Sequence, residues 1–198
     1  MPRTVSLVDE NPPGIRRVCM AVDIDRHSGL GDVGLAAAQW QLSALLAAMC
    51  DFPEFDGLQL FRQSSGDDEI VLLPAGIDEP RTVTLVMNRL VRELREVNNT
   101  GDQPRIRLCV VVHEGITMLA NGVFDGPAVR EARRLLGVPP LRMALVRQPT
   151  ASLAALFSDR VYADLGGFDH CLRPEDFTPV PIGHMPETGW LLIPEVII

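Results

Sequence analysis

Hydrophobic and polar positions along the chain change rhythm often enough to divide it into elements. Arg17 to Val22 is a short apolar run with branched residues that ends at Asp23 and Asp25, and it predicts a buried strand. Ser28-Gly29-Leu30-Gly31-Asp32 then supplies turn and cap residues before Val33 to Met49, where Leu35, Leu42, Leu45, Leu46 and Met49 return at helical spacing. Two strand-like runs, Leu58 to Gln63 and Glu69 to Leu73, flank the turn-rich cluster Ser64-Ser65-Gly66-Asp67-Asp68 and predict a β-hairpin. From Arg81 to Asn98, an apolar stripe of Val83, Val86, Met87, Leu90, Leu94 and Val97 opposes an Arg/Glu face, the pattern of an amphipathic helix. Ile106 to Val112 reads as a strand, Pro127 to Leu136 as a helix, and Leu141 to Arg147 as a helix resuming after Gly137-Val138-Pro139-Pro140. Ser152 to Phe157 fits helix or strand equally, Ser158 is placed to cap a short helix ending at Leu165, and Thr178 to Ile197 predicts a closing antiparallel pair of strands.

Helices and strands interleave without a strict repeat and without a linker long enough to separate domains. This predicts a lead over residues 1–15 and one α/β domain over residues 16–198. At 198 residues and 46% apolar, the chain is large enough to bury a sizeable core. A net charge of −8 argues against wrapping nucleic acid or lying on an anionic membrane, since both call for a positive surface. Residues 1–13 lack the layout of a signal peptide, and no apolar stretch is expected to reach the length of a membrane span. The four cysteines, at 19, 50, 109 and 171, show no CxxC spacing; Cys19 and Cys109 lie in apolar runs and are expected to be buried free thiols, which suits a reducing cytoplasm. All eighteen basic residues are arginine. Mechanisms that need a lysine from this chain, such as a Walker-type phosphate loop, a Schiff base or a Ser-Lys pair, are thereby excluded. Codon bias in a GC-rich genome accounts for the absence.

The candidate chemistry starts with carboxylates. Asp23 and Asp25 close the first strand, and Asp67 and Asp68 occupy the hairpin turn. If that strand lies beside the hairpin, Asp23 and Asp67 meet at one end of the sheet. Two carboxylates and a backbone carbonyl then form a partial shell for Mg²⁺ with room for phosphate oxygens. The same residues are ordinary turn formers, and spacing alone leaves both readings open. His113-Glu114-Gly115 offers an acid-base pair after a strand, whereas His170, Cys171 and His184 lack compact metal-ligand spacing. Ser28, Ser64 and Ser65 lack a nucleophile elbow. Trp40 and Trp190 are expected to pack.

Ala21-Val22-Asp23-Ile24-Asp25-Arg26-His27-Ser28, Gly66-Asp67 in the hairpin, Ile106 to Gly115, Gly126-Pro127-Ala128-Val129-Arg130-Glu131-Ala132-Arg133-Arg134-Leu135, Val161-Tyr162 and Trp190-Leu191 follow one another in the order of the motifs of class III nucleotidyl cyclases. The chain resembles that family from about Arg16 onward. The resemblance implies a ferredoxin-like, palm-type α+β domain with a mainly antiparallel central sheet and helices packed on one face. It also implies head-to-tail pairing as a homodimer or heterodimer with another cyclase-like chain, each site being shared between two chains. In the family, two Mg²⁺ or Mn²⁺ ions bind at the positions held here by Asp23, Ile24 and Asp67 while the ribose 3′-hydroxyl attacks the α-phosphate and pyrophosphate leaves. The turn Arg26, His27, Ser28, Gly29 and Leu30 falls where the triphosphate meets a helix start. Arg134 falls where an arginine steadies charge at the reacting phosphate.

Departures from the family pattern sit in the same motifs. Arg130 replaces the asparagine that positions the ribose, Gln63 stands where purine cyclases carry a base-reading lysine, and Val123 where its partner aspartate would be. The Gln63 amide can meet a base edge or, as a polar hairpin residue, face water. Arg26 replaces a turn glycine, and His27 an aromatic residue. Two functions follow as alternatives. One is a nucleoside-triphosphate-binding, Mg²⁺-dependent cyclase-like domain with an incomplete catalytic set. The other is a degenerate cyclase-homology domain that serves regulation or protein interaction.

Overall fold

A computed structural model describes residues 13–25, 31–51, 60–65, 68–100, 105–165, 172–183 and 187–194. The strands are β1 (Ile15–Ile24), β2 (Phe61–Ser65), β3 (Asp68–Leu72), β4 (Leu108–Ala120), β5 (Val123–Asp125), β6 (Leu153–Ser158), β7 (Phe177–Pro181) and β8 (Thr188–Leu192). The helices are α1 (Asp32–Cys50), α2 (Glu79–Asn99), α3 (Pro127–Leu136), α4 (Pro139–Arg147) and α5 (Asp159–Leu165), with a 3-10 turn at Pro174–Asp176. The strands form one eight-stranded sheet in the order β2-β3-β1-β4-β6-β8-β7, with β5 paired to the far end of β4. Among the described strands, only the β4–β6 pairing is parallel.

Strand alternation sorts the side chains of β1 to two faces. Val18, Met20, Val22 and Ile24 join the core formed with α1, α2 and α5, whereas Cys19 and Ala21 join a second core formed with α3 and α4. The resemblance implies helices on one face; the long helices α1 and α2 do share a face, but α3 and α4 cover the opposite one, so the sheet is buried on both sides. This explains why the middle of β1 is apolar without interruption.

The elements follow from local chemistry. The Asp78 side chain caps α2 by accepting from the Arg81 N–H at 3.2 Å, and Pro80 sits in the first turn, so the helix starts at Glu79, two residues before the expected start at Arg81. Helix α3 follows Gly126, whose φ of 126° suits glycine. Strand β4 runs well beyond the expected end at Val112 because Asn121 (φ 53°) and Gly122 (φ 78°) turn it back into β5. An Asn-Gly pair of this kind favours a tight hairpin, a signal the apolar pattern alone does not carry. From Leu153 onward the ambiguous segment 152–157 is a strand, β6, paired parallel to β4 and buried along its whole length. The cap expected of Ser158 is absent: its Oγ is buried without a hydrogen-bond partner, and neighbouring Asp159 accepts instead from the Trp190 indole at 2.9 Å.

Helix α1 corrects two expectations. Val33–Cys50 is long and apolar enough by length and composition to cross a membrane. Its inner side, Ala38, Leu42, Leu45, Leu46 and Met49, is nonetheless buried in the core against α2 and the sheet. The outer side is apolar as well, and Trp40, expected to pack, is 74% exposed. Trp190 does pack, stacked on Tyr162 with ring centroids 3.7 Å apart.

Candidate functional site

The end of β1 carries the principal candidates. The register Val22↔Glu69 continues one step to bring Asp23 level with Asp68, so β1 delivers its carboxylates beside the β2–β3 turn as the sequence implies. Alternation turns Asp23 away from the α1/α2 core and toward α4. There Arg142 donates from Nη2 to Asp23 Oδ2 at 2.5 Å, and Asp23 is only 7% exposed. Burial alone would weaken the charge on Arg142, but the Asp23 hydrogen bond and neighbouring negative groups outweigh it and raise its pKa on balance, so the guanidinium stays charged. Below the pair lies Cys109, its thiol pushed up to about 12 by burial and therefore neutral.

The neighbouring acids also have arginines. Asp25, fully buried, lies 3.6 Å from Arg107 Nε, and its backbone N–H donates to the Arg107 carbonyl at 2.7 Å. Arg107 in turn donates to the Leu145 carbonyl in α4. Asp68 accepts from Arg133 Nε of α3 at 2.8 Å. Ile24 contributes a side chain buried in the α1/α2 core, as its place at the end of β1 requires. Asp67 and the turn Arg26, His27, Ser28, Gly29 and Leu30 lie outside the described residues.

Among the described residues, no group of three or more His, Cys, Asp or Glu is arranged to hold a metal ion. A divalent ion brought to Asp23 would meet the Arg142 guanidinium. At a surface-like dielectric, two unit charges about 4 Å apart already interact by about 4 kcal/mol, and a divalent ion doubles the repulsion. The described donor set therefore does not fit the metal shell implied by resemblance.

The other candidates are equally committed. Gln63 neither faces water nor offers its amide to a base edge. Its Nε2 donates to the Phe124 carbonyl at 2.7 Å while its Oε1 accepts from the Phe124 N–H at 2.8 Å, clamping β2 to β5. Val123, at the position of its lysine-pairing aspartate in the family, is 54% exposed. Arg130 forms an exposed pair with Asp125 at 3.0 Å. Arg134 donates to Glu131 at 2.6 and 2.8 Å, to the Ile182 carbonyl at 3.2 Å and to Glu187 at 3.3 Å. Its hydrogen bond holds the Glu131 carboxyl below the usual range.

His113 and Glu114 cannot work as a pair, because neighbours along a strand point to opposite faces. Glu114 is buried between Arg16, at 3.0 Å, and Arg160 of α5, whereas His113 lies on the α3 face with Nδ1 buried and unbonded. Burial holds the His113 pKa below its ordinary value. His170, Cys171 and His184 lie outside the described residues. Ser64, considered as a nucleophile, donates to Glu69 at 2.8 Å. Cys19, Cys50 and Cys109 are free, and burial pushes Cys19 up to about 12.

Arg142 and Arg107 are the site residues that sequence reasoning missed. The only signal was indirect: two acids closing an otherwise apolar strand call for counter-ions, but nothing in the spacing says which of eighteen arginines supplies them.

The architecture is that of the class III nucleotidyl cyclase catalytic domain. The monomeric guanylyl cyclase domain of the RhoGC fusion protein from the aquatic fungus Blastocladiella emersonii superposes with a TM-score of 0.60 at 13% identity, covering 93% of this chain and 99% of that domain. The guanylate cyclase domain of RhGC from Catenaria anguillulae, in complex with GTP, gives 0.54 at 14% identity over 91% and 97% of the two chains. The adenylyl cyclase CyaB from P. aeruginosa gives 0.53 at 12% identity over 90% and 94%. No protein-family model matches the chain, and no curated protein matches it in sequence. The likeness is one of fold, across nearly the whole chain, at 12–14% identity.

Proposed function

We propose that this is a catalytically degenerate cyclase-homology domain whose role is regulatory and exercised by association with a partner chain in the cytoplasm. One observation carries the reading: each described polar or charged side chain at a family site position, namely Asp23, Gln63, Arg130 and Arg134, has its functional group engaged by another residue of the same chain. A cyclase needs these groups directed at metal, base, ribose and phosphate, and every hydrogen bond kept within the chain is one withheld from substrate. Purified protein incubated with Mg²⁺ or Mn²⁺ and each of the four nucleoside triphosphates is expected to yield no cyclic nucleotide and no thermal shift. Cyclic nucleotide formation that is lost in Asp23→Asn would sink the proposal.

The second reading is a Mg²⁺- or Mn²⁺-dependent nucleoside-triphosphate site using Asp23, Ile24 and Asp67, completed by Arg134 from another copy or by a different cyclase-like chain. The β1–β3 register favours it, since it sets Asp23 beside the turn to which Asp67 belongs in sequence. Similar domains were crystallised with GTP and with ATPαS, which supports nucleotide binding as a property of the fold. Turnover only when a second, complementary chain is added would favour this reading in its heterodimeric form.

A further inference from the structure

We infer that Arg142 has taken over the place of a metal ion as the counter-ion of Asp23, making the carboxylate end of β1 a metal-independent structural joint between the sheet and α4. The inference rests on the degenerate reading and names the substitution that enforces it. A carboxylate this deep in the protein needs a cation or a proton. Here a cation from the chain itself supplies the charge at 2.5 Å, directed by a helix held in place independently of the pair. Leu141 and Leu145, one residue before and three after Arg142, are fully buried in the α3/α4 core. The Leu145 carbonyl is bound by Arg107, which also faces Asp25. Arg142 is thus delivered to Asp23 by a seated helix, and its side chain is 24% exposed against 10% for Asp23. The adjacent Asp68–Arg133 pair repeats the arrangement from α3, at 2.8 Å. Among the described residues, three carboxylates at this end of the sheet each face an arginine, from α3, α4 or the residue before β4, and together carry little net negative charge to draw a divalent ion.

The experiment is a Mn²⁺ titration of the whole chain followed by electron paramagnetic resonance, comparing wild type with Asp23→Asn, together with a double-mutant cycle of Asp23→Asn and Arg142→Gln by urea unfolding. Mn²⁺ uptake that is absent, or equal in the two proteins and so due to other carboxylates, supports the assignment. Uptake by wild type that disappears in Asp23→Asn overturns it. In the cycle, each single change is expected to lower the folding equilibrium constant, with the pair coupled by roughly tenfold; additive losses would overturn the joint. Should the variants fail to fold, wild type alone decides by NMR: with equimolar Mn²⁺ the Ile24 and Asp25 amide signals stay sharp, whereas selective broadening there refutes the inference. Cyclic nucleotide production by wild type would sink the functional reading, while Mn²⁺ held by Asp23 without turnover would sink only the role given to Arg142.

Discussion

Gln63 binds the Phe124 backbone through both ends of its amide, and Phe124 is 7% exposed. Gln63→Ala leaves a buried N–H and a buried carbonyl without partners and is expected to destabilise the fold by about 1–3 kcal/mol. Urea unfolding would measure this as a lower midpoint with an unchanged slope, and an unaltered midpoint would contradict the clamp. His113 makes a pH prediction. Burial depresses its pKa in the folded state, so the unfolded chain takes up the proton first as pH falls. The stability gained from the neutral ring is complete above the ordinary histidine range, near about 6.5, and declines as pH drops through it. His113→Asn should therefore flatten the loss of stability between about pH 7 and 5. Glu131, whose pKa is also held below its ordinary value, in its case by the Arg134 hydrogen bond, loses its contribution only at lower pH, below the ordinary carboxylate range, and does not obscure the comparison. Parallel pH profiles for wild type and variant would refute the assignment. At this scale the sequence was legible for residue type and not for partner: Asp23 and Gln63 stood out as candidates, but the groups that bind them come from elements far away in the chain.

Elements were more legible. Strand β1, helices α1 to α4 and the closing pair β7–β8 lie where the apolar pattern predicts them, because each buries a face whose period is written locally. Strand β6 was undecided because a run of five buried apolar residues suits either structure until a partner strand exists, and that partner, β4, lies 45 residues earlier, Leu108 pairing with Leu153. The start of α3 depends on a feature that no periodicity reports. A Cβ on Gly126 would fall 2.7 Å from the Ile116 carbonyl, at a φ of 126°. Gly126→Ala is expected to cost about 1–3 kcal/mol or more through clash and backbone strain. Thermal unfolding would check it, and wild-type stability in the variant would show that the turn relaxes freely.

For the molecule as a whole, the order of motifs was a better guide than any one of them. It led to the cyclase architecture, which the superpositions bear out at 12–15% identity. What it could not supply was the state of the site, because that depends on ion pairs made across the fold. The lack of lysine, first an exclusion of unrelated mechanisms, takes on structural meaning: apart from protonated histidine, every side-chain cation able to neutralise a buried acid is a guanidinium, a planar multi-donor group suited to holding a carboxylate in fixed geometry.

The central position of β1 also has a consequence for biosynthesis. Its neighbour β3 follows within the same stretch of chain, but its other neighbour, β4, is distant: Ile15 lies opposite Thr117, 102 residues later. As the chain leaves the ribosome, β1, α1, the β2–β3 hairpin and α2 all emerge before β1 can be flanked on its second side. Until then one edge of a strand whose middle, Val18 to Val22, is wholly apolar stays open to any other strand that meets it. A nascent or truncated chain that stops before Leu108 is therefore a client for chaperones, and completion of β4 is the event that removes the hazard.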